Sequence, residues 1–490
     1  MSTLACKSDI LCNFTPNWRV MDIRKYIFSV LACVACLPSL AETFATESGM
    51  LENNLSGRNL GSISELVLTG TMDARDFKFV AEQMTGLTSL DVSGVSVTEY
   101  SGRESLIGNY VAFPANELPS GCFMGKGYRK IVLPSSLASI GDGALAGCAQ
   151  LESVNIPASV KKIGDFAFSG SAALRRIEGA AGVAEIGDYA FSNCPALASV
   201  GFPKVEKIGN YAFLGDSGLN ALQFPATTTE IGEGAFKHTA LGRADLSGCK
   251  KLTKIGSWAF ADNAALQEVV FHDGISSIGE GAFFSTSLGS AELPGGISKL
   301  DDLAFASNRS LESVSLPDGV KEIGGYALAD CSAISSLTIP AGVDAIGDEA
   351  FRNCNGLSEI KAEPTTPPAL GEDVWKNLDK SGIELEVPTG SENLYKSADQ
   401  WRDFFSGMSE VNLNEVYLHA AFDGAVLHVK SADVIADAAV YDLKGLLIAE
   451  KHPDATEVGF NLAGSQEQML ILRCRFGDGI VRLIKIVRNK

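Results

Sequence analysis

The chain has 490 residues, too many for one ordinary globular core, so several domains or a repeat array are expected. Apolar residues make up 46% and charged residues 20%, which excludes a disordered chain, and 50 glycines with 25 phenylalanines suit many tight turns around one recurring Phe. The net charge of −19 would repel phosphate backbones and therefore argues against a nucleic-acid partner.

The N-terminus predicts export. A short charged segment that begins at Met21 is followed by an apolar stretch and by the small-residue cleavage pattern Ser39-Leu40-Ala41. The apolar stretch is too short for a membrane span. We therefore interpret residues 21–41 as a signal peptide and residues 1–20 as an upstream extension before the true start.

A second interpretation of the same segment leaves lipidation open. Leu31-Ala32-Cys33 could act as a lipidation motif, which would anchor the protein through Cys33. Cleavage after Ala41 would instead remove four of the eleven cysteines and leave seven. An odd number in an exported protein argues against a full disulfide framework.

Residues 42–110 predict an N-terminal cap. Leu66-Val67-Leu68 is a strand candidate, and Asp73 can cap a helix that continues to Met84. Residues 87–93 then have the pattern of an atypical repeat strand. A terminal repeat must shield the core from water, so its divergence from the repeat pattern is expected.

Residues 111–360 contain about ten repeats of 23 residues. The phrase Ile-Gly-Asp-Phe-Ala-Phe at residues 163–168 returns as Ile-Gly-Asp-Tyr-Ala-Phe at residues 186–191, and successive copies are 22 to 24 residues apart. A degenerate copy begins at Leu118. The full copies begin at Ile140, Ile163, Ile186, Ile208, Ile231, Ile255, Ile278, Leu300, Ile323 and Ile346.

Each repeat has two apolar segments. Leu-x-x-Val-x-Ile-Pro, as at residues 151–157, predicts a short strand with one buried face, and the Ile-Gly phrase predicts a turn that needs the conformational freedom of glycine. One repeat cannot bury its apolar side alone, so we predict a right-handed stack of parallel strands with Ile and Phe of each repeat in the core. Alternate strand residues then form an exposed line, with no aromatic stripe and no single sign of charge: Asn155, Glu178, Gly201, Gln223, Asp245, Val270, Glu292, Ser315 and Thr338.

Cysteine recurs three residues after the Ala-Phe or Ala-Leu of four repeats, at Cys148, Cys194, Cys331 and Cys354. A catalytic thiol would need a histidine partner, so we interpret these residues as a buried ladder. Stacking would bring the Cα atoms of Cys331 and Cys354 to about 5 Å, which permits a disulfide. We nevertheless predict free thiols, because short polar residues that can bond to backbone hold the same position elsewhere: Ser171, Asp216, Thr239, Asn263, Thr286 and Asn308.

No motif indicates catalysis or a cofactor: the sequence has no phosphate loop, nucleophile elbow or calcium loop. The five histidines share no metal-ligand spacing and are interpreted as surface or strand residues: His238, His272, His419, His428 and His452. Asp301-Asp302 replace the Ile-Gly turn of one repeat, which we interpret as a divergent turn, with a metal site as the alternative. We therefore expect no enzyme, no catalytic, metal or cofactor-binding residues and no cofactor, and a hydrolase is the least favoured class.

After the repeats, residues 361–412 predict a C-terminal cap with bulky cover from residues such as Tyr395 and Trp401. Residues 413–490 predict a small β-sandwich, because short strand patterns alternate with turns such as Lys444-Gly445.

The repeat resembles the BspA-type leucine-rich repeats of bacterial surface proteins over about residues 118–360. That resemblance implies adhesion to host matrix proteins or to other cells. Residues 413–490 resemble the C-terminal sorting domains of type IX secretion in residues 440–445 and 485–490, although Gln468-Met469-Leu470 stands where Gly-x-Tyr is usual. They either sort the protein or only cap it.

These observations predict a strand-rich leucine-rich-repeat solenoid of the α/β type with a small C-terminal β-sandwich. We expect a secreted or cell-surface protein of a Gram-negative bacterium that recognises an extracellular protein or glycan through the solenoid face, with a periplasmic or lipid-anchored location as alternatives. A structural scaffold in a cell-surface assembly is the alternative function. The sequence does not identify the ligand, the binding face or the oligomeric state.

Overall fold

The computed structural model describes residues 41–102, 111–405, 418–423, 425–464, 469–476 and 481–487. Residues 1–40 lie outside this description, and with them the predicted upstream extension, nearly all of the predicted signal peptide and Cys33. The chain divides into two compact units, Met1–Leu378 with Glu386–Pro388, and Asp379–Leu385 with Thr389–Lys490.

The first unit is a solenoid whose coils contribute strands to two parallel ladders. The first ladder contains β1 (Glu42–Thr46), β2 (Glu65–Met72), β3 (Ser89–Val97), β7 (Lys130–Val132), β9 (Ser153–Ile156), β11 (Arg176–Gly179), β13 (Ser199–Val200), β15 (Ala221–Leu222), β17 (Arg243–Asp245), β19 (Glu268–Val270), β21 (Ser290–Glu292), β23 (Ser313–Ser315), β25 (Ser336–Ile339) and β27 (Glu359–Ala362). The second ladder contains β6 (Glu117–Leu118), β8 (Ser139–Ile140), β10 (Lys162–Ile163), β12 (Glu185–Ile186), β14 (Lys207–Ile208), β16 (Glu230–Ile231), β18 (Lys254–Ile255), β20 (Ser277–Ile278), β22 (Lys299–Leu300), β24 (Glu322–Ile323), β26 (Ala345–Ile346) and β28 (Ala369–Leu370).

The two ladders differ in continuity. Hydrogen bonding in the first is continuous from β1 to β11 and then divides into the short groups β13-β15, β17-β19, β21-β23 and β25-β27. The second runs unbroken from β6 to β20 and again from β22 to β28. The second ladder is therefore interrupted once, between β20 and β22.

The N-terminal end has the strand, helix and strand that the sequence predicts. The Asp73 carboxylate accepts from the Arg75 backbone nitrogen and, together with Asp76, forms a capping box at the start of α2 (Ala74–Gln83). Phe77 is fully buried. The remaining elements here are α1 (Leu51–Asn54), the 3₁₀ turn Leu60–Ser62 and the antiparallel pair β4 (Tyr100–Gly102) and β5 (Val111–Phe113).

The core has the same kinds of residue at equivalent positions in successive coils. Along seven successive coils the Phe of the phrase forms one column, in which neighbouring ring centroids are 5.1 to 5.4 Å apart: Phe168, Phe191, Phe213, Phe236, Phe260, Phe283 and Phe305. These rings are at most 1% exposed, and the Ile of the phrase is equally buried, as at Ile163 and Ile186. The predicted core is confirmed.

The glycine of the phrase serves close packing, which corrects the expectation that it supplies an unusual backbone conformation. Gly187 is not in the left-handed region, and its N–H donates to the Ile163 carbonyl of the preceding coil at 2.8 Å. A Cβ atom at Gly187 would lie 2.7 Å from the Asp165 backbone nitrogen, closer than atoms can approach. Within the described repeats, Asp301 interrupts a column that otherwise consists of Gly141, Gly164, Gly187, Gly209, Gly232, Gly256, Gly279, Gly324, Gly347 and Gly371.

The stack continues one coil beyond the predicted limit at residue 360. Gly371 donates its N–H to the Ile346 carbonyl at 2.8 Å, so β28 extends the second ladder. Trp375 takes the place of the Phe and stacks on Phe351, with centroids 4.8 Å apart. The prolines between residues 364 and 368 lengthen the connection without ending the solenoid.

The second unit contains a curled antiparallel sheet formed by β30 (Leu418–Asp423), β31 (Val426–Tyr441), β32 (Leu447–Lys451), β33 (Ala455–Asn461), β34 (Met469–Phe476) and β35 (Val481–Val487). The long β31 pairs with β30 and β33 in its first part and with β32 and β34 in its second. Both parts contribute to one core, as Leu427 and Val440 show. One sheet folded on itself thus builds the small β-structure that the sequence predicts.

A short helical segment precedes this sheet. It consists of the 3₁₀ turn Lys380–Gly382, α3 (Glu392–Ser397) and the 3₁₀ turn Trp401–Phe405, with the strand β29 (Glu384–Glu386) at the boundary of the two units. Tyr395 packs edge to face on Trp401, with centroids 5.2 Å apart, and both side chains are fully buried.

Candidate ligand-binding face

The predicted line of nine residues on the first ladder faces solvent. Each is exposed or half-buried; Asn155, for example, lies between the buried Val154 and Ile156, whereas Glu178 has an exposed neighbour in Gly179. Parallel pairing aligns the line from coil to coil, so that Asn155 lies beside Glu178. The prediction of a regular exposed line is confirmed.

Two adjoining clefts open in this face, each with a volume of about 400 Å³. Both are lined by Leu222, Gln223 and Phe224. The first is completed by Ser199, Val200, Gly201, Phe202, Pro203, Ala221 and Pro225, and the second by Arg243, Asp245, Ser247 and Gly248. Three residues of the predicted line, at positions 201, 223 and 245, therefore line the clefts. We call this pair the strand-face clefts.

The strand-face clefts follow from local sequence. They lie where hydrogen bonding stops between β15 and β17, and β13 and β15 are two residues long whereas β9 and β11 have four. Each short strand is followed by Phe-Pro, and proline has no N–H with which to extend a ladder. Phe224 packs edge to face on Phe236 at 5.4 Å but stays half-buried, so it gives the clefts an apolar floor.

The rim of the strand-face clefts is charged. Arg243 lies 3.2 Å from an Asp245 carboxylate oxygen and 2.8 Å from Glu268. The Ser247 hydroxyl and backbone N–H donate to Asp245 and lower its pKa. These groups are solvent-exposed, so their ion pairs add little stability.

The second ladder carries a different pattern, in which lysine and glutamate alternate from coil to coil. Ammonium and carboxylate groups are 3.5 Å apart in Lys162–Glu185, 4.0 Å in Lys207–Glu230 and 2.8 Å in Lys299–Glu322. Each pair is exposed and worth at most about 1 kcal/mol. Within each pair the two charges cancel.

The recurring cysteines are buried free thiols, as predicted. The Sγ of Cys354 donates to the Leu328 carbonyl at 3.1 Å, and the Sγ of Cys331 donates to the Phe305 carbonyl at the same distance. Burial raises the pKa of Cys354 to about 12, so the reactive thiolate is strongly disfavoured. Neither residue has the environment of a nucleophile, and the prediction that they do not form a disulfide is confirmed.

The polar residues at the same position also bond to backbone, as predicted. Asn263 accepts from the Thr239 backbone nitrogen at 2.9 Å, and its amide nitrogen donates to the Phe236 carbonyl at 2.8 Å. Asp216 accepts from the Cys194 backbone nitrogen at 2.7 Å, while its other carboxyl oxygen has no partner within the described residues. Burial raises the pKa of Asp216 to about 8.

The histidines do not come together. His238 and His452 are exposed and His428 is half-buried on β31, whereas the side chain of His419 lies outside the description. His272 corrects the prediction, because it is buried and its ring nitrogens contact the Leu252 carbonyl and the Gly274 backbone nitrogen, each at 3.0 Å. Across the described residues, no three His, Cys, Asp or Glu side chains form a group that could hold a metal ion.

Asp301 and Asp302 occupy a turn of the ordinary type. Leu300 holds the Ile position, so Asp301 replaces only the glycine, which corrects the prediction that the pair replaces Ile-Gly. Asp302 accepts from the Gly325 backbone nitrogen at 2.9 Å, as Asp142 does from Asp165. Partial burial raises the pKa of Asp301.

An aromatic column lies on the turn that follows the second ladder, and sequence reasoning missed it. Phe166, Tyr189 and Tyr211 stack with centroids 4.9 and 5.0 Å apart, and Phe166 is 48% exposed. All three residues have a left-handed backbone conformation, with φ of 56°, 55° and 53°, which costs about 1 kcal/mol of conformational energy each. The signal lay in the repeat phrase, which carries an aromatic residue two places after its glycine, whereas the prediction compared only the strand line.

Stacking limits how much ring surface this aromatic column exposes to solvent. The rings cover one another, and Tyr211 lies over Gly234, where a Cβ atom would be 2.3 Å from its ring. The Tyr211 hydroxyl donates to Glu233, which raises the pKa of the tyrosine to about 12. Solvent therefore meets mainly ring edges and carboxylates along this column.

Short parallel strands stacked around columns of Ile and Phe define a leucine-rich-repeat solenoid, a class of repeat protein that is typically a non-enzymatic binding protein. The repeats match the model of the BspA type leucine rich repeat region over residues 116–242, 184–312, 238–358 and 287–377. These overlapping matches span more than half of the chain. The chain belongs to the BspA-type leucine-rich-repeat family.

Several solved structures are similar to the chain. A leucine-rich repeat protein from Bacteroides ovatus is 23% identical, with 56% of this chain and 88% of that one covered and a TM-score of 0.38. A leucine rich cell surface protein from Faecalibacterium prausnitzii is 22% identical, with coverage of 58% and 86% and a TM-score of 0.37. The leucine rich repeat protein of T. pallidum is 26% identical, with coverage of 42% and 78% and a TM-score of 0.26.

Among curated proteins, none matches the chain. In the parts of the chain that the structure describes, no helix is both long and apolar enough to cross a membrane.

Proposed function

We propose that the protein is exported and acts at the cell surface or outside the cell as an adhesion or recognition protein. Its ligand is an extracellular protein or glycan, bound through the first-ladder face of the solenoid. The observation that carries this proposal is the pair of strand-face clefts, which interrupt an otherwise polar, regular surface with an apolar floor.

The chemistry of the strand-face clefts favours a protein ligand on this face. Half-buried Leu222 and Phe224 offer apolar surface that a partner's side chain can cover, which is where most binding energy arises in protein interfaces. Arg243 and Asp245 at the rim can orient the partner through charge-assisted hydrogen bonds.

Binding can be tested with the mature chain on an array of immobilised matrix proteins and glycans. Gln223→Arg places a long charged side chain over the cleft floor and should weaken saturable binding by about tenfold or more. Thr338→Arg, on the same line but outside the clefts, should leave affinity within about twofold. Equal loss in both variants would contradict the clefts as the site, and no binding to any array member at high concentration would favour a structural scaffold instead.

Surface display rests on the ends of the chain. The predicted signal peptide at residues 21–41 would direct export, and residues 413–490 would act as the sorting domain that their resemblance implies. Deletion of residues 413–490 should then abolish surface exposure, measured by protease shaving of intact cells, and Cys33→Ser should have no effect. Loss of surface exposure in Cys33→Ser but not in the deletion would identify a lipid anchor at Cys33. If wild type is found only in the periplasm, residues 413–490 act only as a cap.

A further inference from the structure

The second ladder contains an open groove of about 670 Å³ that spans four coils, between Thr229 and Asp302. It lies on the second ladder, whereas the strand-face clefts lie on the first, so the two features are separate. Its walls include Lys254, Ser277, Glu280, Lys299 and Asp301. We call it the Asp301 groove.

Asp301 accounts for the opening at its own end of the groove. At Gly279, one coil earlier, a Cβ atom would lie 2.6 Å from the Ser257 backbone nitrogen, and at Gly324, one coil later, 2.7 Å from the Asp302 nitrogen. Asp301 has a Cβ atom at this position, so the backbone at Asp301 cannot approach β20 as closely as a glycine would. The second ladder is interrupted at this step, between β20 and β22. One side chain in the glycine column thus interrupts the ladder locally, while the coils stay stacked: the Gly281 N–H donates to the Asp302 carbonyl at 2.9 Å, and the Phe283 and Phe305 ring centroids are 5.2 Å apart.

The walls of the Asp301 groove select against a charged ligand. Glu230, Lys254, Glu280 and Lys299 alternate in sign from coil to coil, and Asp301 and Asp302 add two carboxylates near Lys299, whose ammonium lies 3.9 Å from Asp301. A ligand with many negative charges would be repelled by these carboxylates, and one with many positive charges by Lys254 and Lys299. The apolar lining is limited to Ile231 and Ile255, which are buried, so a protein partner would find no exposed apolar anchor.

The same walls suit a chain of hydroxyl groups. Carboxylates accept, ammonium groups donate and the hydroxyls of Thr253, Ser257 and Ser277 do both, while a sugar hydroxyl is both a donor and an acceptor. Successive coils are about 4.8 Å apart, so a linear ligand can meet a donor or an acceptor at each coil along its length. We propose that the Asp301 groove binds a neutral, hydroxyl-rich oligosaccharide. This goes beyond the proposed function, because the groove lies outside the first-ladder face.

The test uses the mature chain and isothermal titration calorimetry with cellohexaose, mannohexaose and chitohexaose. Asp301→Gly restores the glycine column and should close the groove, with at least about a tenfold loss of affinity for the oligosaccharide that binds. Asp301→Asn keeps the Cβ wedge and the hydrogen-bonding capacity, so its affinity should stay within about threefold. Thermal unfolding of both variants verifies that they are folded.

Three results would overturn the proposal: no heat of binding with any of the three oligosaccharides at millimolar concentration, equal affinity of Asp301→Gly and wild type, or tighter, salt-sensitive binding of oligogalacturonate or chitosan oligomers. Trp258, which follows Ser257 of the groove wall, gives an independent fluorescence readout. Gln223→Arg should leave oligosaccharide binding unchanged, so failure of the strand-face proposal and failure of this one are distinguishable.

Discussion

The two ladders are built by the same coils, yet the one with shorter strands is the more continuous. Strands of the second ladder have two residues and run unbroken over eight coils, whereas first-ladder strands of two to four residues separate into short groups after β11. The second ladder has a glycine column in which a side chain would strike the preceding coil. Close backbone approach, rather than strand length, therefore sets the continuity of stacking in this solenoid.

The largest expected effect comes from the core that both ladders enclose. Phe213 stacks on Phe191 and Phe236 with centroids 5.3 Å away on each side and is 1% exposed. Phe213→Ala should open a cavity that rigid neighbouring coils cannot fill, at a cost of about 3–5 kcal/mol in the free energy of unfolding. Denaturant unfolding measures this, and a variant as stable as wild type would exclude the assigned role of the Phe column.

A smaller loss of stability, caused by replacing a glycine, should distinguish the two ladders directly. A Cβ atom at Gly187 would lie 2.4 Å from an Asp165 carboxylate oxygen and 2.7 Å from its nitrogen, whereas at Gly201 on the first ladder it would meet no atom within 4 Å. Neither glycine is left-handed, so backbone conformation does not distinguish them. Gly187→Ala should cost about 2–3 kcal/mol and Gly201→Ala should change stability by less than about 0.5 kcal/mol. Similar melting shifts in the two variants would remove the basis of the comparison.

The period of the sequence predicts most of this fold because each repeated position has one environment. Phe213, Cys331 and Asn263 could be placed in the core without coordinates, since stacking puts equivalent residues in equivalent surroundings. The role of Gly187 was misjudged, because sequence shows that glycine is required but not whether a turn or a close approach requires it. Burial of His272 depends on one divergent connection, which no period describes.

The candidate sites are departures from the period, and their consequences depend on neighbouring coils. The exposed line through Gln223 was predictable, but the clefts beside it depend on where hydrogen bonding stops after β15. Asp301 was visible in the sequence, yet only the 2.6 Å approach at Gly279 shows that a side chain at this position must interrupt the ladder. A repeat pattern predicts what is common to the coils, and binding surfaces arise where one coil differs.

The last prediction concerns a departure inside the core, where Asp216 stands in place of a neutral side chain. Its pKa is raised to about 8 by burial, against about 3.9 in an unfolded chain. The folded protein therefore holds a proton that the unfolded chain has lost between about pH 4 and pH 8. The contribution of Asp216 to stability is therefore fully present below about pH 4 and is lost as pH rises towards 8, by up to about 1.4 kcal/mol per pH unit.

Asp216→Asn supplies the missing donor, because Asn263 at the equivalent position donates to the Phe236 carbonyl at 2.8 Å. We expect this variant to be about 1–2 kcal/mol more stable than wild type at pH 8 and to lose this part of the pH dependence. The converse change, Asn263→Asp, should introduce the same pH dependence of stability two coils further along the solenoid. Denaturant unfolding at pH 5, 6.5 and 8 measures all three proteins, and parallel pH profiles for wild type and Asp216→Asn would show that Asp216 is ionised in the folded core.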